Sequence, residues 1–514
     1  MNNKQNISGS RTNKVAKNVA VSLCCQVVAM LLQFLCRVVF VRTLGKEYLG
    51  VSGLFTNILT VLSFAELGVG GAIVFQLYKP LAQGDREKIK SLMALYKRAY
   101  WLIGTVIGVG GLMLIPFLKF IVKTELAIQE NLYVIYLLYL FNTVSSYFLS
   151  YKKSIIIADQ QIYLVNLYTQ ALSILQVFAQ ALVLICFKNY IFYLLIQIIF
   201  TVLVNVLISL RADKMYPELR GKAQPLPKTE RQSIFANVRA LAAYKIGSTV
   251  LNGTDGILVS AMFSVSDVGL VSNYLMLNHA FSTVLGKVTE SFTASIGNLN
   301  ACSNAEQQYH VFREVFFLCA WIFGYVSIGM MLLAEPVITI IFGAEYRISI
   351  MVQLALVVSF YVSSMQYAAF SYRTTTGLFR NARAAPTYAA LLNIVLSVFL
   401  GKHIGLSGIY FATAISRFCM ITVTDGCLVY RKIFAKNPIR YFVGYFGFAG
   451  LFAGLYLVIK QAVQLITIGG SWEIIIKVVL ITLLYHVIMI GLFFKTREFQ
   501  SLFGRVCRLI FHRK

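Results

Sequence analysis

Apolar residues in this chain fall into long unbroken runs parted by short polar segments. Fourteen runs reach the length of a membrane span, at roughly 18–41, 54–77, 100–118, 131–150, 162–187, 190–210, 245–264, 268–286, 314–334, 348–371, 384–401, 405–429, 441–460 and 474–494. About 20 apolar residues are needed to cross the ~30 Å hydrocarbon core as a helix, the one open form that satisfies its own backbone in lipid. Strands of a membrane barrel would alternate apolar and polar residues over about ten positions, whereas Val478–Leu484 does not alternate. The pattern predicts an all-α polytopic membrane protein with about 14 transmembrane helices.

Composition agrees. Hydrophobic residues are 58% and charged residues 13% of 514, where a soluble domain carries about 45–50% and about 25%; mean hydropathy is +0.73. Roughly 300 apolar residues suffice for a dozen or more spans. Disorder, collagen, a coiled coil, a disulfide scaffold and an ordinary soluble domain are excluded.

Charge sets the expected orientation. The net charge is +26, and basic residues collect between spans 2 and 3 (Lys79, Arg86, Lys88, Lys90, Lys97, Arg98) and between spans 6 and 7 (Arg211 to Lys245). With both termini cytoplasmic, inner segments hold roughly 35 basic residues and outer ones about nine, which is the positive-inside bias. The charge therefore reads as topology plus attraction to anionic membrane lipids; no soluble domain is present to make it a nucleic-acid signal. The basic tail after Lys495 is expected to lie along the membrane as an amphipathic helix.

The longest polar stretch, Arg211 to Ala243, carries Pro217, Pro225 and Pro227 after the sixth span. It divides the chain into a six-helix bundle at 1–210, a cytoplasmic linker at 211–243, a second six-helix bundle at 244–430, and two extra helices with a basic tail at 431–514. The bundles show internal likeness at an offset of about 219. Asn18-Val19 meets Asn237-Val238, and Gly50 meets Gly269, each glycine being followed by a small residue and then an aromatic (Gly53 and Phe55, Ser272 and Tyr274). Duplicated bundles are a recurring transporter plan.

Ionisable residues inside spans cost a few kcal/mol each and mark candidate sites. Arg37 and Arg417 offer guanidinium forks suited to a phosphate or diphosphate. Asp255, Glu66 and Asp425 are candidates to take up and release H⁺ or Na⁺. The alternative for all five is an ion pair or hydrogen bond that merely holds helices together. Gly104 and Gly108 have the small-residue spacing of close helix packing. Tyr133, Tyr136, Tyr139 and Tyr147 line a sugar-accommodating cavity or form core.

No P-loop, His-Glu-x-x-His or Gly-x-Ser-x-Gly pattern occurs, no Cys-x-x-Cys pair suggests zinc, and no cofactor or metal is expected. No polar segment exceeds about 35 residues, which leaves no room for an extramembrane catalytic domain. These features argue for transport rather than an enzyme. An intramembrane polymerase or ligase would need a large outer loop, and the outer segments at Ser264–Asp267 and Lys402–Ile404 are short.

Several stretches resemble the bacterial Wzx-type polysaccharide flippases of the MOP superfamily, which also holds MATE drug exporters and lipid II flippases. They are Val41-Arg42-Thr43-Leu44-Gly45-Lys46-Glu47-Tyr48-Leu49-Gly50, Leu62-Ser63-Phe64-Ala65-Glu66-Leu67-Gly68 and Tyr78-Lys79-Pro80-Leu81. A second block comprises Tyr244-Lys245-Ile246-Gly247, Asp255, Val268-Gly269-Leu270-Val271-Ser272-Asn273-Tyr274 and Ser295-Ile296-Gly297-Asn298. The resemblance implies a multi-pass protein of the bacterial plasma membrane that moves an undecaprenyl-diphosphate-linked oligosaccharide from inner to outer leaflet. It further implies alternating access by two bundles around a cationic cavity, and a polysaccharide polymerase as partner. Arg37 falls on span 1, where related flippases place cavity arginines. The rival within the superfamily is a MATE-like cation-coupled exporter of small molecules.

Overall fold

The computed structural model describes the chain from Leu31 to Phe511, apart from 64–75, 119–127, 235–246, 467–470 and short stretches or single positions within 78–82, 160, 222, 228–233, 248–252, 303 and 377–383. Every regular element among the described residues is helical. In order, the main ones are α1 (31–44), α2 (Lys46–Leu62), α3 (Arg86–Leu114), α4 (Leu132–Ser150), α5 (Ile162–Phe187), α6 (Tyr190–Met215), α7 (253–262), α8 (Val265–Cys302) and α9 (Ala305–Phe342). They continue with α10 (Ile350–Met365), α11 (Tyr367–Thr375), α12 (Ala385–Ile404), α13 (Leu406–Arg417), α14 (Val423–Lys432), α15 (Ile439–Gln464), α16 (Ser471–Phe493) and α17 (Arg497–Phe511).

Among the described residues, ten stretches of helix are long and apolar enough to cross a membrane. They match ten of the fourteen runs in the sequence. Three of the others, 18–41, 54–77 and 245–264, run into residues outside the described set, and 268–286 lies within α8. Burial separates central from peripheral helices. In the apolar window of α9, 61% of residues are buried, against 17% in those of α6 and α16, whose bare apolar faces suit lipid rather than water.

The chain forms two compact units, Met1–Thr249 with Ser264–Gly269, and Val250–Phe263 with Leu270–Lys514. In the first, Ser264–Gly269 folds back onto α2, and this explains the glycines. A Cβ on Gly50 would lie 2.1 Å from the carbonyl oxygen of Val265, and one on Gly269 would lie 2.6 Å from that of Lys46. Lys46 and Val265 are separated by 219 residues, as are Gly50 and Gly269, so the contact is reciprocal between repeat-related positions. Bare backbone at both glycines lets the strands of chain touch. Gly104 and Gly108 likewise face Tyr147, Phe148 and Val144 of α4 at contact distance. Tyr136, Tyr139 and Tyr147 are buried, with the Tyr136 hydroxyl donating to the Gly111 carbonyl at 2.9 Å, so these three are core.

In the second unit, α9 contains Pro336, which lacks an N–H and crowds the carbonyl one turn earlier. Gln353 of α10, 2% exposed, donates its side-chain amide to the carbonyls of Met330 at 2.9 Å and Met331 at 3.1 Å. The missing N–H takes the helical donor from the Leu332 carbonyl, four residues before Pro336, and the buried Gln353 amide ties α10 to the two carbonyls just before it. Helices α12 and α13 are joined through the single residue Gly405, at φ +69°.

Each unit also carries a basic–aspartate pair, from the turn just after α4 to α6 in the first and from α11 to α14 in the second. Lys152 and Asp213 meet at 2.6 Å in the first. Arg373 and Asp425 meet at 2.9 Å in the second.

Candidate functional site

Helix α7 presents Asp255 to α12 and α13 of the same unit. The Thr413 hydroxyl lies 3.0 and 2.8 Å from the two carboxylate oxygens of Asp255 and 3.2 Å from the carbonyl of Ile409. One hydroxyl proton serves one acceptor at a time, so this corner holds more oxygen lone pairs than hydrogens. Asn393, fully buried, donates to Thr413 Oγ1 at 2.8 Å, and its own carbonyl oxygen lies 3.4 Å from the hydroxyl of Thr254. One turn further on the same face of α12, Ser397 is fully buried and its hydroxyl has no hydrogen-bond partner.

Arg417 ends α13, one turn beyond Thr413, close enough for its charge to act on the Asp255 carboxylate. The chain then makes a π-helical turn, Phe418–Thr422, before α14. Such wide turns cost regular hydrogen bonding and are frequent at functional sites. The arrangement is one carboxylate, several neutral oxygens and a guanidinium at membrane depth. Its donors are the chemistry of a proton or a small monovalent cation rather than a divalent metal, which prefers more carboxylates; among the described residues no cluster of three His, Cys, Asp or Glu is present.

Asp425 lies apart from this cluster. Its side chain and that of Arg373 are each 1% exposed, Gln366 donates to it at 3.2 Å, and Arg373 also sits 5.1 Å from the Phe370 ring. In the first unit, Arg37 of α1 is half-buried and interacts electrostatically with the hydroxyls of Tyr193 and Tyr139. Tyr139 is itself fixed by Ser52 at 2.8 Å and Tyr190 at 2.9 Å. Glu66 lies outside the described residues.

The structure therefore gathers Asp255 and Arg417, and holds Asp425 against Arg373. Sequence reading missed Arg373, Asn393 and Thr413. Arg373 sits in the polar run Ser371 to Thr376, which reads as a loop beyond a span. Asn393 and Thr413 are neutral, and nothing in a single sequence separates a site asparagine from a packing one.

A multi-pass helical membrane protein of two compact units, with ionisable groups in its spans, defines the class: the fold is that of the MurJ and MATE transporters. Lipid II flippase MurJ in an inward closed conformation superposes with a TM-score of 0.69 at 13% identity, over 95% of this chain and 99% of that one. An inward-facing multidrug resistance MATE family transporter of the MOP superfamily gives 0.58 at 13% identity, over 83% and 95%. A mutant of the Vibrio cholerae MATE transporter VcmN gives 0.55 at 12% identity, over 83% and 99%. The chain belongs to the polysaccharide biosynthesis protein family, whose model matches residues 15–294. A comparison with curated proteins found no match.

Proposed function

We propose that this protein is a flippase that carries a polyprenyl-diphosphate-linked oligosaccharide, of the undecaprenyl type, from the inner to the outer leaflet of the bacterial plasma membrane. A diphosphate head cannot cross about 30 Å of hydrocarbon unaided. Arg37 in the first unit and Arg417 in the second each offer a planar fork that replaces its lost hydration. Basic residues on the inner side place both termini in the cytoplasm. Exchange between inward and outward access follows the two-bundle plan of 1–210 and 244–430, and a polymerase takes the product.

The observation that carries the reading is the Asp255–Thr413–Asn393 cluster with Arg417 one turn away. A lone carboxylate among neutral oxygens binds H⁺ or Na⁺, and with the ion bound its charge no longer competes for Arg417. The ion and the diphosphate are then linked through one guanidinium, and an inward gradient drives the cycle. The membrane potential adds about 2.3 kcal/mol per charge per 100 mV. Coupling is assigned to Asp255, with Glu66 a second candidate from its place in span 2, while Asp425 has its charge balanced by Arg373.

Translocation of isotope-labelled glycolipid in proteoliposomes, with and without a proton or sodium gradient, tests this. Asp255→Asn is expected to abolish the gradient dependence, and Arg37→Ala and Arg417→Ala to abolish translocation with the protein still in the membrane. Gradient-independent flipping by the parent removes the role of Asp255. Export of cationic drugs, with no glycolipid movement, replaces the proposal by the MATE-like reading.

A further inference from the structure

Two adjoining cavities in the second unit have no part in the transport reading. The first, about 500 Å³, lies among one set of ends of α9, α10, α15 and α16. On its wall Glu335 pairs with Arg347 at 3.4 Å, Arg347 Nε donates to Thr339 Oγ1 at 3.0 Å, and Glu473 pairs with Lys477 one turn along α16. Lys460, in the last turns of α15, stands 5.7 Å from the Tyr456 ring and has no carboxylate partner among the described residues. Three cations thus face two carboxylates that are already matched. One positive charge is left over, and Lys477 is only 15% exposed, six residues inside its helix or about 9 Å along the axis.

The second cavity, about 520 Å³, is apolar and shares Met331 and Tyr456 with the first. The walls run in the same order along three helices. On α15 the apolar cavity takes Tyr445 to Leu457, and Lys460, Val463 and Gln464 line the charged one. On α9 the apolar Ile328 precedes Met331, and Glu335 and Thr339 follow it; on α10, Ile350 edges the charged cavity while Leu354 to Val362 line the apolar one. The apolar length on α15 from Tyr445 to Leu457, twelve steps of about 1.5 Å each, is about 18 Å, close to half the ~30 Å hydrocarbon core. Phe446 and Leu457 on its rim are 57% and 59% exposed, so the groove opens sideways to the bilayer.

We propose that this groove binds one phosphate-bearing lipid, its phosphate at Lys460 between Arg347 and Lys477 and its chain in the apolar chamber. Polar groups at one end and a chain-length apolar trough at the other match an amphiphile and no soluble anion. Guanidinium and ammonium donors at the charged end match phosphate oxygens. In the proposed orientation the headgroup lies in the outer leaflet, but the site itself does not depend on the transport reading. The occupant is a resident anionic phospholipid, whose single phosphate matches the one positive charge left over.

The test uses the full chain in nanodiscs of phosphatidylcholine with a minor fraction of phosphatidylglycerol, and counts retained lipid by native mass spectrometry. Wild type is expected to retain one phosphatidylglycerol in preference to phosphatidylcholine. Lys460→Gln should weaken retention about tenfold, the loss of one charge-assisted contact, and Lys460→Arg should restore it. Ala453→Trp, which fills the apolar chamber, should expel the lipid with the charges intact, so the proposal stays testable if Lys460→Gln does not fold. Phosphatidylglycerol that added polyprenyl diphosphate does not displace supports a resident phospholipid; displacement overturns that assignment in favour of the transported lipid. Equal retention of the two phospholipids by wild type, or retention unchanged in both Lys460→Gln and Ala453→Trp, overturns the proposal.

Discussion

Arg373 and Asp425 form an ion pair with each side chain 1% exposed, and this makes a quantitative prediction. Asp425→Asn keeps the shape and still accepts from Gln366, but leaves a guanidinium in the interior without its counter-charge. Breaking a buried pair from one side costs about 3–5 kcal/mol, whereas replacing both partners by apolar residues of similar volume is often neutral or stabilising by about 1–4 kcal/mol. Asp425→Asn and Arg373→Met should therefore each destabilise strongly, and Arg373→Met with Asp425→Leu should recover most of the loss. Unfolding can be followed in denaturant with a thiol-reactive dye in a background lacking the accessible Cys186, Cys419 and Cys427, because Cys319, in the same unit as the pair, is buried at 3% exposure and reacts only on opening. The same variants should be assayed for glycolipid translocation. A stable Asp425→Asn protein that no longer transports would refute the reasoning, since Asp425 would then act in the ion cycle rather than hold α11 to α14. A double variant as unstable as either single one would refute the energetics.

The close approach at Gly50 predicts that Gly50→Ala, with its Cβ 2.1 Å from a backbone oxygen, costs about 1–3 kcal/mol as overpacking. Gly53→Ala, 3.2 Å from a Val268 methyl, should lie within a few tenths of the parent in the same unfolding measurement; equal effects at the two positions would contradict the geometry. Gln353→Leu removes the two side-chain hydrogen bonds to the Met330 and Met331 carbonyls and should cost about 1–3 kcal/mol, at about 0.5–1.5 kcal/mol for each bond. Gln353→Glu, unable to donate when ionised, should be no better.

Helical architecture and membrane class were legible because they depend on one-dimensional quantities, the length and apolarity of each run. The ten described spans fall where the runs fall, and the lipid has no water to rescue any other backbone. The paired glycines Gly50 and Gly269 were legible as well, since a glycine that permits close backbone contact has no substitute. Asp255 stood out for the same reason, as a charge in an apolar run has few bland explanations.

Sequence alone fixed which groups are costly to bury, and therefore which residues to suspect: Arg37, Glu66, Asp255, Arg417 and Asp425. Partner choice it could not fix. Asp255 and Asp425 look alike as letters, yet one faces the neutral oxygens of Thr413 and Asn393 near Arg417, and the other faces Arg373. That difference arises from helix packing between positions over 50 and over 150 residues apart, and Coulomb energy falls with distance in space, not along the chain. The folded chain alone decides which carboxylate faces neutral hydroxyls and which is held against a guanidinium.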